Sequence, residues 1–336
     1  MGVASKAESG FSRQELLKFG SVYFFLALIN LEIRLNLASF WFNGRLEYNH
    51  GELLAFRYFN NEQSRLLQFY IPEGFHRLFG LSIIHAYILQ HFLFIFLALV
   101  CFHFYLKKWF GVKLAFAGVL FLSAVIPLSC FNELQESQPL LLLTFLLGLW
   151  AIRDHRPLWY VVVLTLGAIN NETMLVLPAV YFLYNFKRFE LKHLWRLSMV
   201  TLIGASPAYV IVGIIRYINW AKPHVVATVQ WRNNLRGIWG QLRTSPLDYW
   251  DAKFFYIVFV FGAFWLFAFL CYGKKPLFLR RAALIIPPFI LIHMMFGIIS
   301  EVRLMMPLSF LIIPMAFFYL FPETQKPQTE LEIQET

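Results

Sequence analysis

The sequence predicts an all-α, polytopic integral membrane protein, and three observations predict it. Hydrophobic residues make up 59% of the chain and charged residues only 14%, with a mean hydropathy of +0.59, a composition suited to lipid rather than water as solvent. Apolar runs recur ten times along the chain, many close to the roughly 20 residues a helix needs to cross a hydrocarbon core of about 30 Å. The connections between most of them are short and rich in Lys and Arg, the signature of membrane orientation by positive charge. Helices follow because lipid offers no partner to backbone N–H and C=O groups, which must be satisfied within each segment.

In chain order, the first apolar segment, 19 to 42, follows Arg13 and Lys18 without a small-residue cleavage site, and is expected to be an uncleaved span. Further segments lie at 81 to 105, 112 to 130, 137 to 152, 158 to 169, 173 to 186, 194 to 220, 253 to 272, 282 to 300 and 304 to 321. Basic clusters at Lys107/Lys108/Lys113, Arg153/Arg156, Lys187/Arg188/Lys192/Arg196 and Lys274/Lys275/Arg280/Arg281 place their loops, and both termini, on the cytoplasmic side. Loops 43 to 80 and 221 to 252 then face outward. The organisation is one membrane-embedded helical domain over 1 to 322, with a cytoplasmic tail over 323 to 336. The net charge of +10 sits in membrane-flanking loops, which argues for anionic lipid and against nucleic acid. Cys101, Cys130 and Cys271 have no metal-like spacing and are expected to be free thiols in apolar surroundings.

The stretch "LTLGAINNETMLVLPAVYF" at 164 to 182 puts two amides and a carboxylate between apolar runs that basic loops flank on both sides. Both flanks belong on one side of the membrane, so the chain must enter and return. Runs of this length, roughly 18 and 21 Å as helices, are too short to cross upright. They are expected to be half-spans meeting at a tip, Asn170-Asn171-Glu172. Non-helical backbone at that depth must be buried in protein or line a wet cavity, and the tip is expected to line a cavity that opens outward.

The outer basic residues are ten Arg (34, 45, 57, 65, 77, 216, 232, 236, 243, 303) and two Lys (222, 253), whereas the inner set is mainly Lys. Orientation requires charge alone; guanidinium adds bidentate grip on phosphate or carboxylate. An outer-face anion is therefore the expected ligand. The competing account is that these Arg pair with Glu47, Glu52, Glu62, Glu73, Glu133, Glu136 and Glu301 as structural ion pairs. Candidate site residues are Glu47 and Glu52, which with His50 form a cluster able to accept a proton from a hydroxyl; Glu172 at the tip; Glu301 and Arg303 in "GIISEVRLMMP"; and Arg57, Arg65 and Asn171. Glu133 and Glu136 lie three residues apart, on one helical face. They fit either a divalent metal or a solvated helix start, and no other cofactor is expected. His85, His91, His103 and His293 sit in spans and fit either satisfied core positions or a proton path.

A first span, a long acidic and Arg-bearing outer loop with "SRLLQFYIPEGFHRLFGLS", half-spans reading "LGAINNETMLVLPA" and a late "EVRLMMPL" together resemble bacterial polytopic proteins of the glycosyltransferase C superfamily over most of residues 15 to 320. Many uncharacterised members carry Asn-Arg-Glu-Thr at the half-span tip, where Asn171 here replaces the Arg. The resemblance implies transfer of a sugar from a polyprenyl-phosphate-linked donor on the outer face of the bacterial inner membrane. It further implies a base in the first outer loop (Glu47 or Glu52, with Glu32 behind them), a phosphate held by Arg57, Arg65 and Arg303, and Glu172 orienting a guanidinium or the sugar. The adjacent acidic pair common in that loop is missing here. Two other accounts stay open: a carrier or flippase for a lipid-linked or anionic solute, because charged residues in broken helices also mark transport sites, and a GT-C-like scaffold without catalysis. Protein partners are not legible; lipid-linked sugar and membrane lipid are the expected ligands.

Overall fold

The computed structural model describes residues 13–58, 61–129, 136–220, 229–243, 260–298 and 301–324. Every regular element of appreciable length among them is helical. In order they are α1 (Arg13–Leu37), α2 (Leu46–Leu54), α3 (Leu66–Phe79), α4 (Ile83–Leu106), α5 (Val112–Val125), α6 (Gln138–Arg153), α7 (Pro157–Asn170), α8 (Leu177–Asn185), α9 (Leu191–Trp220), α10 (Trp231–Arg243), α11 (Phe264–Phe269), α12 (Leu277–Ala283), α13 (Ile286–Phe296) and α14 (Ser309–Leu320). Among the described residues, five helical segments, Leu17–Leu37, Ile83–Leu106, Val112–Ser129, Leu191–Ile218 and Leu277–Phe296, are long and apolar enough to cross a membrane.

The distribution of apolar surface agrees with a lipid environment. Phe25 and Ile29 on α1, and Leu202, Ile203 and Val210 on α9, each leave more than half of their surface uncovered. A soluble monomer rarely exposes apolar patches of that extent. The most enclosed helices are two of the shorter ones, α6 and α14. Residues 309 to 318 of α14 are all buried, as is nearly all of α6, because these helices are enclosed by others and have no lipid face of their own.

Several boundaries differ from the sequence expectation for local reasons. The first helix ends at Leu37 and not at 42; the chain then turns through Asn43 and Gly44, whose φ of +103° suits glycine. The segment 43 to 80, expected as an outward loop, holds α2 and α3. Leu46, His50 and Leu53 share the buried face of α2, while Phe69, Pro72 and Glu73 are buried on α3. Gly80, at φ +66°, closes α3 by donating its N–H to His76 O. The segment expected at 282 to 300 begins earlier, at Leu277, and is broken at 284–285 ahead of Pro287 and Pro288, because proline disfavours helix in the residue before it and lacks an N–H.

Contacts between helix ends fix two opposite poles. At one, Glu15 on α1 bonds Lys107 after α4, Lys108 pairs with Asp154 after α6, Arg281 on α12 donates to Tyr184 O on α8, and Phe110 packs on Phe317 and Phe318 of α14. At the other pole, Arg34 on α1 meets Glu136, Asn170 at the end of α7 donates to Ser137 O, Gln138 donates to Arg303 O, and Arg216 on α9 meets Glu172. The start of α1 and the end of α14 therefore lie at the same pole. The 14-residue α7, about 21 Å long, runs between the poles, and a 3-10 turn, Glu172–Val176, leads into the nine-residue α8, which returns. Close packing at this reversal depends on Gly167: a Cβ there would fall 2.5 Å from Met174 Cε and 2.9 Å from its Cγ.

Candidate functional site

The pole that holds the half-span tip also collects most of the buried charge. Its centre is a chain of four groups from two distant parts of the sequence. The 3-10 turn Asn61–Ser64 supplies Glu62, and Arg65 follows at the N-cap of α3. Ahead of α14, residues 301–308 form short 3-10 turns, and these present Glu301 and Arg303. Arg303 Nη2 lies 2.8 Å from Glu301 Oε2 and its Nη1 3.6 Å from Glu62 Oε1. Arg65 Nη1 bonds the same Glu62 oxygen and approaches Ser137 Oγ at 3.5 Å. Two guanidiniums thus share one buried carboxylate oxygen. Burying single charges costs several kcal/mol each, so the alternation of sign is what makes the cluster tolerable.

The tip joins this cluster through Ser137. Asn170 is buried and donates to Ser137 O at 2.8 Å, while Asn171, also buried, caps the next turn by accepting from Thr173 N–H at 3.0 Å. Asn170 and Asn171 are therefore buried in protein, the first of the two circumstances that membrane-depth backbone permits. Glu172 turns the other way and forms a two-bond pair with Arg216 on α9, Nε to Oε1 and Nη2 to Oε2.

A second buried pair lies alongside. Arg34 donates to Glu136 Oε1 at 2.7 Å, with side chains only 1% and 4% exposed. His91 Nδ1 stands 4.0 Å from the other Glu136 oxygen. Gln90 links the two clusters, donating toward Gln68 O and Glu136 O, and Gln68 in turn donates to Glu62 O. Glu136 is thus committed to an arginine. Glu133 lies outside the described residues, and among those described no group of three His, Cys, Asp or Glu side chains is placed to hold a metal ion.

The cluster expected at Glu47, His50 and Glu52 does not assemble. Glu47 is exposed and has no hydrogen-bond or ion-pair partner among the described residues. Glu52 pairs with the exposed Arg57 at 2.9 Å. His50 faces inward, its Nε2 3.1 Å from Glu73 Oε2 and its Nδ1 3.1 Å from Tyr87 Oη. Burial pushes His50 below the ordinary histidine value, and the bond from His50 holds the Glu73 carboxyl below the usual carboxylate value. The geometry fits an imidazole that donates Nε2–H to the Glu73 carboxylate and accepts from Tyr87 Oη at Nδ1. Glu73 also binds Arg77.

Of the candidate site residues, Arg65, Glu301 and Arg303 are brought together; Asn171 caps its own turn, Glu172 is held on α9, and Glu47, Glu52 and Arg57 make no bond to the cluster among the described residues. Glu62, Ser137 and Arg216 complete the arrangement. Arg216 was readable only as one of ten outer Arg, because nothing local ties it to a residue 44 positions away. Six of those ten, Arg34, Arg57, Arg65, Arg77, Arg216 and Arg303, pair with carboxylates. The structural ion-pair account therefore describes most of the arginine skew.

Compared with protein-family models, curated proteins and solved structures, the chain has no match.

Proposed function

We propose that this membrane protein is a glycosyltransferase of GT-C type, which binds a polyprenyl-phosphate-linked sugar at the outer face of a bacterial inner membrane and transfers the sugar during surface-glycan assembly. The ten-segment topology with cytoplasmic termini belongs to the same proposal. One observation supports it above others: Arg65 and Arg303, from opposite halves of the chain, converge on Glu62 beside the half-span tip. Two guanidiniums a few ångströms apart fit the oxygens of a phosphate and the charge that develops on it as it leaves. Arg303 is partly exposed, as is Glu301. An incoming phosphate takes the place of Glu301 on Arg303, while Glu62 keeps both guanidiniums aligned.

In this reading the acceptor hydroxyl loses its proton to Glu47, the one carboxylate among Glu47, Glu52 and Glu172 without a basic partner among the described residues. The acceptor oxygen forms the new glycosidic bond and the bond from the anomeric carbon to the phosphate oxygen breaks. Glu172 has a positioning role through Arg216.

A second reading, a GT-C-like scaffold without catalysis, is favoured by the commitment of Glu52 and Glu172 to arginines. The two separate in cells. Glu47→Gln and Arg303→Gln should each abolish a surface glycan while the protein inserts normally. Unchanged glycan in both variants rejects the enzyme and leaves the scaffold; movement of a labelled polyprenyl-phosphate sugar between leaflets without transfer replaces it with a carrier.

A further inference from the structure

Beside the six paired arginines, α10 carries two that are not paired with a carboxylate among the described residues. Arg232 and Arg236 are exposed and have no carboxylate partner among the described residues; Arg232 lies over the Trp231 ring at 5.3 Å. The sequence of α10, WRNNLRGIWGQLR, sorts into three stripes at 100° per residue. Asn234 is buried and donates to Met294 O and Gly297 O at 2.7 and 2.8 Å, and Gln230 N–H donates to Met295 O, so this stripe docks α10 on the end of α13. Trp231, Leu235 and Trp239 form a second stripe and are 40%, 45% and 57% exposed. The arginines form the third, next to the apolar stripe and roughly opposite the docked one.

We propose that α10 is a membrane-surface helix whose Arg232 and Arg236 bind the phosphates of anionic lipid headgroups while Trp231, Leu235 and Trp239 enter the acyl boundary. Its position decides the occupant. The end of α13, an apolar helix of a candidate span, anchors it, and the chain reaches Glu301 four residues beyond Gly297. That places α10 at the pole of the arginine cluster, at the depth where indole rings and arginines are both favoured. The apolar stripe supplies burial and the adjacent basic stripe supplies attraction to anionic lipid, the two components of interfacial helix binding. This inference does not depend on sugar transfer.

The test uses the full chain in nanodiscs of phosphatidylcholine with one-quarter phosphatidylglycerol, comparing wild type with Arg232→Gln/Arg236→Gln. Native mass spectrometry of the released protein should show phosphatidylglycerol retained on wild type, and the double variant should lose this preference by roughly fivefold per arginine. A nitroxide at Leu235→Cys, with the native cysteines replaced, should be accessible to oxygen and shielded from a water-soluble nickel complex. Equal phosphatidylglycerol retention by both proteins would overturn the headgroup site. A nitroxide fully accessible to nickel would show the stripe facing water, as a protein-docking surface would, and would also overturn the proposal.

Discussion

Glu172 and Arg216 are joined side by side by two hydrogen bonds, which tie the tip of the half-spans to the far end of α9. Glu172→Gln should therefore loosen the tip without unfolding the chain. The pair is partly exposed, so solvent screening limits its worth to about 1 kcal/mol. The double reversal Glu172→Arg/Arg216→Glu should restore part of the loss in a detergent thermal-shift assay; no recovery would show that the pair's orientation, and not its charge, is what the tip requires.

Arg34 and Glu136 are almost completely buried, and removing one partner strands a charge. Arg34→Met should cost about 3–5 kcal/mol. The double variant Arg34→Met/Glu136→Leu should recover most of that loss, because paired removal leaves neither charge unsatisfied. A double variant as unstable as the single one would contradict this account of the pair.

The His50–Glu73 contact predicts acid sensitivity in two steps. Both groups have depressed values in the folded protein, so the unfolded chain binds more protons as pH falls. His50's contribution is complete above the ordinary histidine value of 6.5 and is lost as pH falls through its folded value; Glu73's is complete above 4.5 and is lost below that. His50→Gln should remove the first step from a melting-temperature profile against pH and leave the second, reduced, in place.

Topology predicts labelling. With native cysteines replaced, the exposed Tyr48→Cys on α2 should react with a membrane-impermeant maleimide added outside cells, whereas Lys113→Cys at the start of α5 should react only after permeabilisation. The reverse pattern would invert the assignment of the two poles.

Much of the helical architecture was legible because its causes are local. Long apolar runs specify α4, α5 and α9, and the paired basic flanks of 158 to 186 specify the reversal at Asn170. Pairings across the chain were not. The spacing of Glu47, His50 and Glu52 suggests one cluster, yet the buried face of α2 is set by Leu46, His50 and Leu53, which leaves Glu47 at its exposed margin and Glu52 on the other side. The arginine skew was visible, but which arginine meets which carboxylate depends on contacts such as Arg34 with Glu136, 102 positions apart. The break before Pro287 was readable in principle from proline chemistry, and the buried docking of Asn234 was not.

The most direct test of the central claim is binding of a labelled polyprenyl-phosphate sugar to the purified protein in nanodiscs, measured for wild type, Arg303→Gln and Glu301→Gln. Loss of a charged hydrogen-bonding partner predicts binding weaker by roughly 10- to 100-fold in Arg303→Gln, and Glu301→Gln, which frees Arg303 from its competing carboxylate, should bind at least as tightly as wild type. Equal affinity in wild type and Arg303→Gln would contradict the assignment of this cluster as the donor-phosphate site.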